Sequence, residues 1–283
     1  MILRVGGVPE HFNFPWHLAD KYGLLSQAGL RLDWRDYPGG TGAMLRDLKR
    51  DELQLAVLLS EGAVAGISAG HDLRLLTFTV ATPLRWGVHV PPGSPRNGLA
   101  DLARGAPLRV AISRRLSGSH LMSHVLADQL KLKRLEFVEV GSLVGAAEAF
   151  AADRADVFLW ERFTTQPTVD RGQMKRIGEC PTPWPPFCLV TSGTTLAHHP
   201  AAVARLCQIW FRGVSLALRL PDLPQRIGQH YGLAESEVIE WLRCTRWADR
   251  PTMADRDLKT VIAELRKLSL VDQHLTPRQC RVS

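Results

Sequence analysis

Three short segments hold most of the residues whose chemistry suits ligand recognition: V-P-E-H-F-N-F-P-W at 8–16, S-E-G at 60–62 and W-E-R-F-T-T at 160–165. Glu10, Glu61 and Glu161 each stand among apolar residues. A carboxylate in such a setting accepts N–H donors from an amine or a heteroaromatic ring. Phe12, Trp16, Trp160 and Trp184 supply flat faces for a planar or cationic ligand, by stacking and quadrupole attraction. Asn13, Thr41, Ser60, Thr164 and Thr165 add amide and hydroxyl contacts, and Pro9 and Gly40 belong to the turns that carry them. Any one of these tryptophans also fits plain core packing.

A second kind of contact is readable at residues 114–120. Arg114, Ser117 and Ser119 precede a helical pattern that begins near His120. A Ser/Gly loop at a helix start offers unpaired N–H groups to an anion; Ser119 equally suits a plain N-cap. Together the two sets describe a small ligand with an aromatic or amine end and, if the loop takes part, an anionic end.

Several motifs point to chemistry that their context does not support. Gly66-Ile67-Ser68-Ala69-Gly70 matches G-x-S-x-G, but a helical pattern precedes it and a strand follows, the reverse of a nucleophile elbow. His120 and His124 share a helix face without the Glu of a zinc-protease motif, since Leu121 takes its place. Gly39-Gly40-Thr41-Gly42 is neither a P-loop nor a dinucleotide fingerprint. No catalytic residue, metal ligand set or cofactor is expected from these residues.

The elements that must position these groups follow from periodicity. Strands are expected at 3–5, 30–37, 53–59 and 73–80, separated by helices at 14–25, 43–49 and 62–68. The order then recurs, with strands at 108–113, 135–140 and 157–160 and helices at 119–130 and 145–152. Residues 32–36 followed by Gly42-Ala43 superpose on 135–139 followed by Gly145-Ala146, and each series runs on to a strand ending in Glu, Glu61 or Glu161. Two related α/β lobes are therefore expected. Helices at 201–219, 236–243 and 255–268, the last with a capping-box start at Thr252 and Asp255, have no strands of their own and must pack on an existing sheet. The alternating segment 84–90 and the run after residues 181–186 mark two crossings. The expected division is residues 1–84 with 190–283 as lobe 1 and 85–189 as an inserted lobe 2, with the ligand in the cleft at the strand ends.

Composition agrees with a globular chain. The 283 residues are 45% hydrophobic and 22% charged, which excludes disorder. No apolar run approaches the ~18–20 residues of a membrane span. Lys and Arg exceed Asp and Glu by 35 − 28 = 7, but the basic residues are dispersed, so a nucleic-acid partner is not expected. The five cysteines fit no zinc pattern, and reduced thiols are expected. The first strand begins without a basic n-region or an apolar h-region. The chain as given is thus expected in the cytoplasm, or in the periplasm if a leader was removed.

The 8–16 loop, with the run to Gly23-Leu24 and then Gly29-Leu30-Arg31-Leu32, resembles the opening of type 2 periplasmic-binding-protein-like proteins. The branch is that of nitrate, sulfonate, taurine and thiamine-pyrimidine binders. The similarity is nearest to a small leaderless subgroup of fungi and bacteria, which shares the V-P-E-H-F-N-x-P-W loop, Y-P-G-G-T-G at 37–42, S-E-G at 60–62 and W-E-x-F-T-T at 160–165. The resemblance implies a two-lobed type 2 fold, each lobe a mixed sheet flanked by helices, with a double-crossover hinge and the helical C-terminal part on lobe 1. It further implies closure on a small ligand, with no ligand assigned to the subgroup. With the cleft residues above, the leading expectation is a monomeric solute-binding protein, with an ABC transporter permease as partner, for a pyrimidine-like or thiamine-precursor-like ligand; a nitrate- or sulfonate-like anion comes second. Two other readings stay open: a cytoplasmic ligand sensor, and an enzyme like the pyridoxal-phosphate-using pyrimidine synthase of thiamine biosynthesis. In the enzyme, His11 or His120 would be the acid–base groups. The synthase's cysteine-rich motif has no counterpart in this sequence, and no cofactor lysine can be placed.

Overall fold

Alternating apolar residues generate the first strand, β1 (Ile2–Gly7): Leu3 and Val5 are fully buried while Ile2 lies exposed. The structure, a computed structural model, describes residues 1–104, 107–115, 117–251 and 253–282. From β1 the chain continues through α1 (Phe14–Lys21), α2 (Leu24–Gln27), β2 (Arg31–Asp36), α3 (Thr41–Lys49), β3 (Leu55–Leu59), α4 (Ser60–Ser68) and β4 (Leu73–Phe78). Gly23, at a φ of 70°, splits the helical run expected at 14–25 into α1 and α2, a backbone conformation that costs glycine nothing.

A second unit follows: β5 (Arg85–Val90), β6 (Leu108–Ile112), α5 (Gly118–Leu130), β7 (Leu135–Glu139), α6 (Leu143–Ala151), β8 (Val157–Glu161), α7 (Gln166–Asp170) and β9 (Lys175–Pro181). The chain then adds β10 (Phe187–Ser192) to the first sheet. It ends in α8 (Gly193–His198), α9 (Pro200–Ala217), α10 (Leu223–Tyr231), α11 (Glu235–Cys244), α12 (Asp255–Lys267) and α13 (Pro277–Cys280). Compactness divides the chain into residues 1–83 with 183–283, and residues 84–182.

The two sheets have one topology. The first runs β2-β1-β3-β10-β4 and the second β7-β6-β8-β5-β9. In each, the first three strands are parallel and the fourth is antiparallel to its neighbours on both sides. The weak superposition of residues 32–36 on 135–139 has a structural basis, because β2 and β7 hold the same edge position in their sheets. Neither β9 nor α10 is expected from sequence pattern. The β9 sequence K-R-I-G-E-C-P has no clean alternation, and Pro221 and Pro224 obscure the start of α10.

The C-terminal helices belong to the first unit. Trp210 of α9 and Trp16 of α1 are fully buried with ring centroids 5.5 Å apart. A side chain at Gly213 would place its Cβ 2.5 Å from the Pro15 carbonyl oxygen, so glycine permits the α1–α9 approach. Buried Leu258, Val261, Ile262 and Leu265 confirm the apolar face expected on α12, which packs with α4. Thr252, half of the expected capping box, lies outside the described residues. Among the described residues, no helix is long and apolar enough to cross a membrane, and all five cysteines are free thiols.

The close approach gives a direct check. Gly213→Ala should destabilise by about 1–3 kcal/mol, the usual range for overpacking a tight contact. Urea denaturation would read this as a lower midpoint at unchanged slope; an unchanged midpoint would show that α1 and α9 can separate freely.

Candidate functional site

Strand direction decides which loops share an edge. Because β1, β2 and β3 are parallel and β10 is antiparallel between β3 and β4, the C-terminal ends of β1–β4 and the start of β10 lie on one edge of the first sheet. That edge gathers Pro9–Asn13, Gly40-Thr41, Ser60-Glu61, Thr79 and Trp184. In the second unit the same rule places residues 113–115, 117–120 and 160–165 and the start of β5 on one edge.

Glu61 is buried with only one of its carboxyl oxygens satisfied among the described residues. It occupies the first turn of α4 and is fully buried. Its Oε2 accepts the Trp184 indole N–H at 2.9 Å, while Oε1 has no partner among the described residues. Burial raises its carboxyl to about pH 7, against smaller lowering by the α4 backbone and Trp184. Thr41 packs over Gly62, where a Cβ would lie 2.6 Å from Thr41 Cγ2. Ser60 donates its hydroxyl to the Pro185 carbonyl at 2.7 Å, tying the start of α4 to the segment before β10. Ser60, Glu61, Thr41 and Trp184 thus form one cluster.

The loop after β1 is held differently. Asn13 donates its amide to the Val8 carbonyl at 2.8 Å, and its buried Oδ1 has no partner among the described residues. Glu10 is buried and its carbonyl accepts the Asn13 N–H at 3.0 Å; Pro9 is exposed. His11 and Phe12 are buried against Trp241 of α11, with ring centroids 4.4 and 5.3 Å away. Desolvation lowers the His11 imidazole to about pH 3. The Phe12 carbonyl accepts the Trp247 indole N–H at 2.8 Å. Gly40, at a φ of 68°, starts α3 below Thr41.

Trp16 requires a correction. It is expected as a ligand-facing ring, but it lies wholly inside the α1–α9 core against Trp210, on the helix face that must be apolar for α9 to dock.

In the second unit most of the expected polar groups are engaged within their own loops. Glu161 Oε2 accepts both the backbone N–H and the hydroxyl of Thr164, at 2.6 and 2.9 Å. Burial raises its carboxyl to about pH 7, with hydrogen bonds from Thr164 opposing. Thr165, fully buried, shares its hydroxyl among His89 Nε2 and the carbonyls of Glu161 and Arg162. Ser117 caps α5 by accepting the His120 N–H, and Ser119 accepts the Ser113 N–H at 2.9 Å, with the two hydroxyls 2.9 Å apart. His120 and His124 bring their Nε2 atoms to 3.3 Å, beside Phe137. Arg114 is half-buried. Trp160 is half-buried and stacks on Phe158 at 5.4 Å. Ser68 of the G-x-S-x-G match accepts the Asp272 N–H at 2.7 Å on α4, so no elbow exists there.

Two further residues at these edges matter. Thr79, in a strand-end loop expected at the ligand edge but not singled out as a contact, follows β4 with a buried, unpartnered hydroxyl among the described residues. Trp86 sits opposite Glu161 in the β5–β8 register, buried, with its indole N–H likewise unpartnered. The register that places Trp86 beside Glu161 joins residues far apart in sequence, and no local pattern encodes it.

With this geometry in place, the architecture has a class. It is the periplasmic-binding-protein fold, two mixed five-stranded sheets flanked by helices. The family model of Ca3427-like PBPs, or periplasmic binding proteins, matches residues 86–180. The Candida albicans CA3427 gene product, described with the generic periplasmic binding protein fold, is 22% identical over 97% of this chain and 92% of its own, with a TM-score of 0.89. The alkanesulfonate-binding protein SsuA from Xanthomonas axonopodis pv. citri, bound to MOPS, is 20% identical over 97% and 96%, at 0.79. A zinc-bound ligand-binding component of an ABC-type import system from Staphylococcus aureus is 15% identical over 100% and 96%, at 0.78. No curated protein sequence matches the chain. The similarity to these solved structures extends the type 2 resemblance seen in the sequence at the level of the fold, and the family model adds a match over residues 86–180.

The buried carboxyl sets a pH test. Glu61 binds its proton more tightly folded, at about pH 7, than unfolded, near 4.5. Between those values the folded state holds more protons, so Glu61 costs stability progressively as pH rises from about 4.5 to 7 and fully above that. Each tenfold difference in proton affinity is worth about 1.4 kcal/mol. Glu61→Gln should therefore gain stability relative to the parent chain between pH 5 and pH 8, read by denaturation at both. Parallel pH profiles would mean that Glu61 is solvated.

Proposed function

We propose that the chain is a solute-binding protein for a small heteroaromatic or amine-bearing metabolite of the pyrimidine or thiamine-precursor kind. Glu61 carries this reading: a fully buried carboxyl with one oxygen on an indole N–H and the other unclaimed. A buried acceptor left open is costly, and a ligand N–H would satisfy it. Asn13 Oδ1, open at the same sheet edge, is another acceptor. The fold supports the reading, since the sulfonate-binding and importer-component neighbours are small-ligand binders by name.

The expected mode is closure of the units on the ligand, favoured only by contacts made in the closed state. Delivery to an ABC importer would be its use. An oxyanion is the weaker alternative, because the Ser117 and Ser119 hydroxyls are engaged within their own loop.

A thermal-shift screen of pyrimidines, aromatic amines and oxyanions tests this. A specific ligand at about a hundredfold excess over Kd should stabilise by about 2.7 kcal/mol. Pyrimidines or aromatic amines should give the shifts, and Glu61→Ala should reduce them. Shifts from nitrate or methanesulfonate alone, unaffected by that substitution, would overturn the assignment.

A further inference from the structure

The neighbours of Glu61 say more about what the site must bind. Trp184, ahead of β10, gives it a neutral N–H. From α3 comes the Thr41 side chain, packed over Gly62. From β10 comes the Cys188 thiol, whose proton is held tightly by burial and whose charge interactions include Glu61 itself. On the remainder of α4, β4 contributes Leu73 near Gly66, and α12 buries an apolar face. None of these groups is a cation. The first turn of α4 favours a negative charge through its N–H groups and dipole, but an ionised carboxylate buried without a countercharge is costly.

We propose that Glu61 is the charge partner of the ligand, that the ligand presents an amidine-type N–H edge (an aminopyrimidine or an amidine), and that the pair holds a single proton. This rests on the solute-binding reading above and specifies the ligand class. Without ligand, the Glu61 carboxyl keeps the proton, consistent with its upward displacement by burial. When a neutral aminopyrimidine enters, the carboxyl O–H bond breaks and the proton passes to the ring nitrogen, with no net exchange with solvent. When a permanent amidinium enters, the same O–H bond breaks, the proton goes to the buffer, and the carboxylate pairs with the cation. In both cases Oε1 gains its missing donor. An anion would bring a second negative charge beside Glu61, where none of the neighbours named above is a cation.

The experiment is titration calorimetry of the whole chain with benzamidinium, 4-aminopyrimidine, unsubstituted pyrimidine and methanesulfonate, in buffers of low and high ionisation enthalpy. At pH 6.5 benzamidinium should release most of one proton per site, falling to none above about pH 8, and its Kd should weaken about tenfold per pH unit below 7. 4-Aminopyrimidine should bind with little net proton exchange. Glu61→Gln should abolish the benzamidinium proton release and weaken its binding at least a hundredfold, with circular dichroism confirming that the variant folds. Proton-silent benzamidinium binding, or equal binding by Glu61→Gln, would overturn the proposal. So would failure of both N–H-bearing probes to bind. Binding of unsubstituted pyrimidine, indifferent to Glu61→Gln, would overturn it while leaving solute binding intact; binding of methanesulfonate alone would remove the ligand class of both.

Discussion

The arrangement depends on the antiparallel seat of one strand in each sheet. In the first unit β10 lies between β3 and β4, with Leu189 opposite Val57 and Cys188 opposite Leu58 and Phe78. Because β10 runs against both neighbours, its start meets the ends of β3 and β4, and residues 184–187 join a loop cluster they would otherwise miss. That reversal brings Trp184 to Glu61 and the Pro185 carbonyl to Ser60. In the second unit β5 has the same seat between β8 and β9, and it brings Trp86 to Glu161. The chain supplies each of these strands across a crossing, so the clusters need the long-range pairing as well as the local loops.

Two carboxyls at equivalent strand ends thereby acquire different characters. Glu161 closes on its own turn, where the Thr164 N–H and hydroxyl both reach one oxygen. Its burial is compensated locally, and its side chain shapes the 161–165 turn. Glu61 starts a helix instead of a turn, and its own first turn leaves one oxygen unclaimed. Burial raises both carboxyls similarly, so proton affinity alone does not separate them; the count of donors does. The same distinction applies to the hydroxyls. Those of Ser117, Ser119 and Thr165 are spent on backbone partners, whereas Thr79 is not.

Much of the fold was legible because it is written in local periodicity. The strands at 30–37 and 135–140 show period-two alternation, and the α12 face repeats at helical spacing. The paired lobes could be read from the order of elements, since each strand, glycine turn and short helix lies within a few tens of residues. Strand β9 was not legible: its sequence lacks alternation, and only pairing along β5 makes it a strand. For the site, sequence singled out segments better than side chains. Trp16 departs from the strand-end edge because its segment enters a helix within the same motif, so the residue faces α9. Trp86 carries no local signal of its place, because its neighbour Glu161 is specified by register alone.

The helical C-terminal part is more than cover for a sheet. Trp247 donates to the Phe12 carbonyl, and Trp241 packs edge-on against both His11 and Phe12. Phe187, at the start of β10, meets Phe12 from another element, with ring centroids 4.8 Å apart. The loop after β1 is therefore clamped by residues more than 170 positions later in the chain. A loop with few backbone bonds of its own would sample many conformations, and ordering it at the moment of binding would weaken affinity. Here aromatic packing orders it in advance. The His11 ring stacks on Phe12 and meets Tyr231 and Trp241 edge-on, and it stays neutral in the clamp because full burial removes the water that an imidazolium would need. The 8–16 segment thus combines two roles: Phe12 and His11 hold the loop, and Asn13 keeps an open acceptor at its end.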